Sequence, residues 1–297
     1  MKKAIPTLPM EPRCLATFLY KPDANEVVRR NFSEDVRMIN LWANRMLHLH
    51  TWPVYILLAG AVDVRALTAI SDPLRQLRVL HVPALFDLAP AATRPQYRHM
   101  FTKLHVWRLP CRKAAILDYD GWAVLPRAGD LLLDACGGAE LCAVRDMIGE
   151  RLARRVALSA IGQWSNRSSP YFNAGVFALR PSEGTYKSLV SRAQAERDSG
   201  AAATRVMAEQ DFLNAAFPEW KELNRTFNMM GGIWRNGGPK KTAAVYIHER
   251  LARSHPLFEQ KLWCSPRHCL ELERLSDGGV VRGIRTGLTD SCCWVDF

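Results

Sequence analysis

A chain of 297 residues with 48% hydrophobic composition can bury a full core, as one large domain with a tail or as two smaller domains. Its formal charge of +11 favours polyanionic partners such as nucleic acid, an anionic membrane face or phosphorylated substrates, against the plainer alternative of a solvated basic surface. The eight cysteines, at 14, 111, 136, 142, 264, 269, 292 and 293, show no CxxC pair or zinc-finger spacing, and no apolar run approaches the ~20 residues of a membrane span, which excludes zinc modules and transmembrane helices.

Isolated cysteines in a chain this long read as reduced, mostly buried thiols rather than as a disulfide framework. The first ten residues are basic but broken by Pro6 and Pro9, so they read as neither signal peptide nor anchor. Together these features predict a cytoplasmic protein, in which the sequons at Asn31, Asn166 and Asn224 go unused.

In chain order, the apolar and aromatic run Cys14 to Tyr20, ended by Lys-Pro-Asp, is predicted as the first strand. Apolar residues at 27, 28, 38, 41, 42, 46 and 49 follow a helical period, with a break near Ser33 and Glu34. Pro53 to Ala59 and Val79 to Val82 read as further strands, the second after a helix-like stretch. Alternating strand and helix argues for an α/β fold with a parallel sheet, whose ligand sites lie outside the C-terminal ends of the strands. The spacing of Met100, Leu104, Trp107 and Leu109 predicts a helix from Arg94 to Leu109. Next, Ala114 to Leu117 runs into Asp118-Tyr119-Asp120, a turn-forming Gly121 and a second apolar run. If the chain stays extended through the motif, residues two apart share one side and both carboxylates converge. Further on, Ser182 is a plausible cap for a following helix, Glu209 to Asn214 read as helical, and Val245 to Glu249 as a last strand.

Two convergent carboxylates beside a polar loop suit a hard cation, Mn2+ or Mg2+, which can bind a nucleotide's phosphates on its free positions. The same Asp-x-Asp at a strand end also occurs as a solvated turn or helix cap. Its surroundings favour the metal. Phe101 to Leu109 lies upstream, and Tyr171 to Phe177, Glu209 to Asn214, Leu223 to Asn228 and Val245 to His248 follow in order. At these separations the motifs resemble the glycogenin-like glycosyltransferases, a branch of the retaining family 8 enzymes, from about Leu15 to His248 and most closely from Arg94 to Asn214.

The resemblance implies a GT-A fold, a mixed, mostly parallel sheet flanked by helices. The expected divisions are an extension at 1–12, the transferase domain at 13–265 and a tail at 266–297. It also implies an Mn2+ site, with Mg2+ as the alternative ion, made by Asp118, Asp120 and His248. The nucleotide base would lie near Thr17, Phe18 and Tyr20, Arg94 and Lys103 would meet the diphosphate and sugar, and Asp118, Tyr119 and Asp120 would also bind the donor. Asn173 would bond sugar hydroxyls while Ala174 and Gly175 let the backbone approach. Glu209 and Gln210 together take the catalytic place beside the anomeric carbon, with Glu209 standing where the family usually has Asp. The acidic residue that relatives carry just before the Asn173 motif has no counterpart in the preceding loop, and the basic residue after His248 could be Arg250, Arg253 or Lys261.

The expected function is transfer of a hexose from a UDP-sugar, foremost UDP-glucose, to a separate sugar or glycan acceptor. No nucleic-acid partner is expected. The rivals are a basic nucleic-acid-binding protein, for which no RRM, KH or zinc signature is found, and a nucleotide-sugar-binding relative without turnover.

Overall fold

A computed structural model of the chain describes residues 10–21, 32–67, 69–72, 74–89, 98–123, 127–147, 149–150, 170–200, 208–230, 245–248, 272–274, 281–283 and 294–295. Its centre is a seven-stranded sheet in the order β3-β2-β1-β4-β7-β6-β8. The strands are β1 (Cys14–Lys21), β2 (Val54–Gly60), β3 (Leu77–His81), β4 (Ala114–Leu117), β6 (Leu141–Arg145), β7 (Phe172–Leu179) and β8 (Lys221–Leu223). All neighbours run parallel except β7, which is antiparallel to both β4 and β6. The sheet is therefore the mixed, mostly parallel one expected.

Strand β1 is covered on both faces, which is why it reads as a continuous apolar run rather than an alternating one. Leu15 and Leu19 pack into the cluster containing helix α1 (Phe32–Leu49). Ala16, Phe18 and Tyr20 pack into the opposite cluster with Phe101, Leu104 and Trp107. Met38, Ile39, Trp42, Ala43 and Met46 of α1 recur at the three-and-four spacing of a single buried helix face. Helices α2 (Ala128–Cys136), α3 (Glu183–Asp198) and α4 (Ala208–Ala216) complete the layers. Ser182 caps α3 as expected, its hydroxyl accepting from the Thr185 N–H at 3.2 Å.

Two local expectations are corrected. The segment predicted as a helix from Arg94 is, where described, a 3-10 stretch over His99–Arg108. Phe101 through Trp107 are all buried, so no exposed stripe exists from which a helical period could tell an α-helix from a tighter winding. Four of the cysteines are not free thiols: Cys14 is bonded to Cys111, and Cys136 to Cys142. Spacing could not reveal the first pair, because its members are 97 residues apart and meet only when β1 and β4 pair side by side. The thiol argument for a cytoplasmic location falls with these bonds. Among the described residues no helix is long and apolar enough to cross a membrane.

A small second sheet, in the order β5-β10-β9, sits beside the C-terminal end of β4. It comprises β5 (Trp122–Ala123), β9 (Met229–Met230) and β10 (Tyr246–His248). Within the tail, β11 (Leu272–Arg274), β12 (Val281–Gly283) and β13 (Trp294–Val295) form an antiparallel sheet that sequence patterning did not anticipate.

Acid should loosen this core. Burial lowers His50 and His105 from 6.5 to about 4, so both are neutral in the fold and take up protons more readily when unfolded. A depressed histidine contributes stability above the unfolded value that is lost as pH falls from 6.5 through about 4. Urea titrations across that window are expected to show a loss of about 3 kcal/mol per histidine, and His105→Gln should remove its share of the slope.

Candidate active site

The Asp-x-Asp motif is a turn rather than a continued strand. Leu117 pairs with Val176, and the Asp118 N–H still donates to the Gly175 carbonyl at 2.8 Å, but the Gly121 N–H then turns back to the Asp118 carbonyl at 3.1 Å. Convergence of the two carboxylates by strand alternation is thus corrected: turn geometry places them, because the antiparallel ladder with β7 ends at Asp118.

The turn is held from behind by Tyr246. Its hydroxyl donates to the Asp118 carbonyl at 2.7 Å and accepts from the Trp42 indole N–H at 3.2 Å. Tyr246 is 2% exposed, and burial, followed by the neighbouring carboxylates Asp120 and Asp118, keeps its phenol well above the usual range and protonated. Gly121 lies against this ring, with space for nothing larger. Strand β10 pairs Tyr246 with Ala123 and Ile247 with Trp122, so the backbone register brings His248 level with Gly121, next to Asp120. The His248 side chain lies outside the described residues. Among the described residues no group of three candidate metal ligands converges. The chemistry of the pair that is present, two carboxylates at an open strand end with the Asp118 side chain 19% exposed, fits a hard divalent cation.

Lys103, expected at the donor, is buried and spends its ammonium on protein oxygens. It lies 3.0 Å from Asp118 Oδ1, 3.0 Å from the Ala174 carbonyl and 3.4 Å from Glu209 Oε1, and 5.4 Å from the Phe18 ring centre. Burial alone would lower this ammonium, but Asp118 and Glu209 outweigh it, and the net direction is upward. Glu209 is itself pushed up to about 7, chiefly by burial, with Lys103 opposing. The Lys103 ammonium, a three-donor cation, bridges Asp118 to Glu209, which lies 106 residues beyond Lys103 in the chain, and so ties the Asp118 turn to α4.

Gln210 and Asn173 meet on Asp146, which follows β6. Gln210 Nε2 donates to Asp146 Oδ2 at 3.1 Å and its Oε1 accepts from the Ala174 N–H at 2.9 Å. Asn173 Nδ2 donates to the same carboxylate oxygen at 3.3 Å. Asp146 thus places a carboxylate, just beyond the end of β6, against both Asn173 and Gln210. Its position one residue beyond an apolar strand was the signal that could have found it. Behind this layer, Asn214 clamps α4 to β7 through both the N–H and the carbonyl of Phe172, at 2.7 and 2.9 Å. Tyr171 donates to Asp211 at 2.5 Å.

Of the residues expected around the base, Thr17 and Phe18 are buried in β1, the Thr17 hydroxyl having no partner among the described residues. Tyr20 stacks on His99 with ring centres 4.8 Å apart. Tyr119 is packed into the core below the turn. Arg94, Arg250, Arg253, Lys261 and most of the aromatic and glycine-rich segment from Phe227 to Gly238 lie outside the described residues.

A family model described as Glycosyl transferase family 8 matches residues 88–251. Among curated proteins, galactinol synthase 7 of Arabidopsis thaliana is 30% identical over 190 residues, covering 58% of this chain and 54% of that protein, so the chain spans about half of its relative's length. Among solved structures, the galactosyltransferase LgtC in complex with donor and acceptor sugar analogs superposes with a TM-score of 0.58 at 16% identity, covering 79% of this chain and 86% of that one. Mouse xyloside xylosyltransferase 1 superposes with a TM-score of 0.51 at 16% identity, over 82% and 99% of the two chains. These structural likenesses show the GT-A fold, and nothing in the comparisons supports a nucleic-acid-binding protein. With the family model covering more than half of its length, the chain belongs to glycosyltransferase family 8.

Proposed function

We propose that the chain transfers a hexose from a UDP-sugar to a separate sugar or glycan acceptor, with retention of configuration and dependence on Mn2+ or Mg2+. The observation that carries this reading is the gathering of Asp118, Lys103, Glu209, Gln210, Asn173 and Asp146 at one end of the central strands, where β4 ends and β7 begins. A cation held by Asp118, Asp120 and His248 would supply charge neutralisation to a departing diphosphate.

The chain's own groups divide the remaining work. Glu209 offers a negative group to positive charge developing at the anomeric carbon, and Lys103 holds it in line with Asp118. Gln210, bonded at both ends of its amide, fixes the β7 backbone and Asp146 rather than presenting a free group. Asp146 and Asn173 read the sugar hydroxyls. The acceptor hydroxyl enters on the face that the diphosphate leaves. That the acceptor is a separate molecule is supported by Tyr246, whose hydroxyl is buried between Trp42 and Asp118 and cannot present itself as a self-glycosylation site.

UDP-glucose is the expected donor. UDP-galactose belongs beside it, because two of the similar proteins, a galactinol synthase and a galactosyltransferase, are named for galactose chemistry. The test is a donor screen with Mn2+, reading both released UDP and transfer to sugar acceptors. EDTA should abolish turnover and Mn2+ restore it. Asp120→Asn should lower kcat by at least ~100-fold with little change in melting temperature, and UDP with Mn2+ should raise that temperature. Full activity of Asp120→Asn in chelator would sink the metal assignment. Stepwise hexose gains in the intact mass of the purified protein, lost on Tyr246→Phe, would sink the separate acceptor.

A further inference from the structure

The motif Leu223 to Asn228 is absorbed by none of the roles above, yet its last residue enters the site. Asn228 precedes β9, whose Met230 pairs with His248 of β10, and its side chain reaches back to the main sheet. Asn228 Nδ2 donates to Asn173 Oδ1 at 2.9 Å, and the Gly175 N–H donates to the same oxygen at 2.9 Å. These orientations are not free choices. A backbone N–H can only donate and an ionised carboxylate can only accept. The Gly175 N–H and the Asp146 carboxylate therefore fix which end of the Asn173 amide is which, and Asn228 must turn its NH2 toward it. The cost is visible at the other end, since Asn228 Oδ1 is buried with no partner among the described residues and the residue is 5% exposed.

From this geometry we propose that Asn228 is a positioning residue for the donor sugar. Acting through Asn173, it holds the amide NH2 and the Asp146 carboxylate in the one arrangement that reads the hydroxyls of the hexose ring, and it makes no contact with the nucleotide. The role rests on the reading of this site as a UDP-hexose pocket. It also ties the strand that follows Asn228, and through it the β10 strand of His248, to the sugar side of the site.

The consequence is a split between two ligands that share their nucleotide. Asn228→Ala should weaken UDP-hexose binding, and lower kcat/KM for it, by about 10-fold or more, while the Kd of UDP measured with Mn2+ stays within about 2-fold. A residue needed only for folding would weaken both ligands alike. Because Asn228 acts through Asn173, adding Asn228→Ala to Asn173→Ala should cost less than a further 2-fold or so, a non-additivity expected of neighbours in one network. Asn228→Leu serves as the second variant. It keeps the volume, removes the donor and relieves the unpartnered oxygen, so it should fold at least as well and show the same split. Equal weakening of UDP and UDP-hexose in the variants, or losses that multiply in the double variant, would overturn the role. A wild-type chain that binds UDP-hexose no better than UDP and turns none over would remove the donor reading and this role with it. That outcome differs from normal wild-type turnover with additive variants, which removes Asn228 alone.

Discussion

Replacing Lys103 with methionine is expected to destabilise the fold by about 3–5 kcal/mol at pH 8, because it leaves buried charge without its partner. The methylenes fit the same space, so the loss comes from the ammonium: Glu209 loses its 3.4 Å contact, Asp118 its 3.0 Å contact, and the Ala174 carbonyl its donor. The loss should depend on pH with a definite sign. Burial already raises Glu209 from 4.5 to about 7 with Lys103 present, and removing the opposing charge raises it further. A carboxyl raised in the fold contributes stability below its unfolded value that is lost as pH rises through its folded one. In the parent that loss is complete somewhat above pH 7, whereas in the variant it continues to higher pH, so the gap between them widens above 7. Urea unfolding of both proteins at pH 5.5 and pH 8.5 tests this. An equal gap at the two values would mean that Glu209 is not the group Lys103 protects. Activity should be lost at either pH, since the bridge between the Asp118 turn and α4 is gone.

The second large effect is expected from Gly121→Ala. An added methyl would sit about 2.7 Å from both Cζ and the hydroxyl oxygen of Tyr246, a ring that is buried and bonded on both sides and cannot swing away. Overpacking of this kind costs about 1–3 kcal/mol, and here it also drives the hydroxyl off the Asp118 carbonyl, which positions the motif. Tyr246→Phe separates the two consequences. It removes only the hydroxyl and adds no clash, but leaves the Trp42 N–H and part of the Asp118 carbonyl's bonding unsatisfied, at about 1–3 kcal/mol. Thermal melts and metal titrations on both variants should show Gly121→Ala weakening Mn2+ binding at least as much as Tyr246→Phe. Wild-type metal affinity in Gly121→Ala would mean that the turn tolerates displacement of Tyr246.

What the amino-acid order determined by itself was what short-range physics can express. Apolar runs marked β1, β2 and β4, three-and-four spacing marked the buried face of α1, a serine before a glutamate marked the start of α3, and five motifs in a fixed order marked the family. Each of those signals is carried by residues close together in the chain. Tertiary structure alone decided what depends on elements meeting across long separations: the Cys14–Cys111 bond over 97 residues, Lys103 reaching Ala174 over 71, and Trp42 reaching Tyr246 over 204. It also decided that the Asp-x-Asp carboxylates are set by a turn, since the end of a ladder depends on where β7 stops pairing with β4, and that is a property of the sheet rather than of either strand.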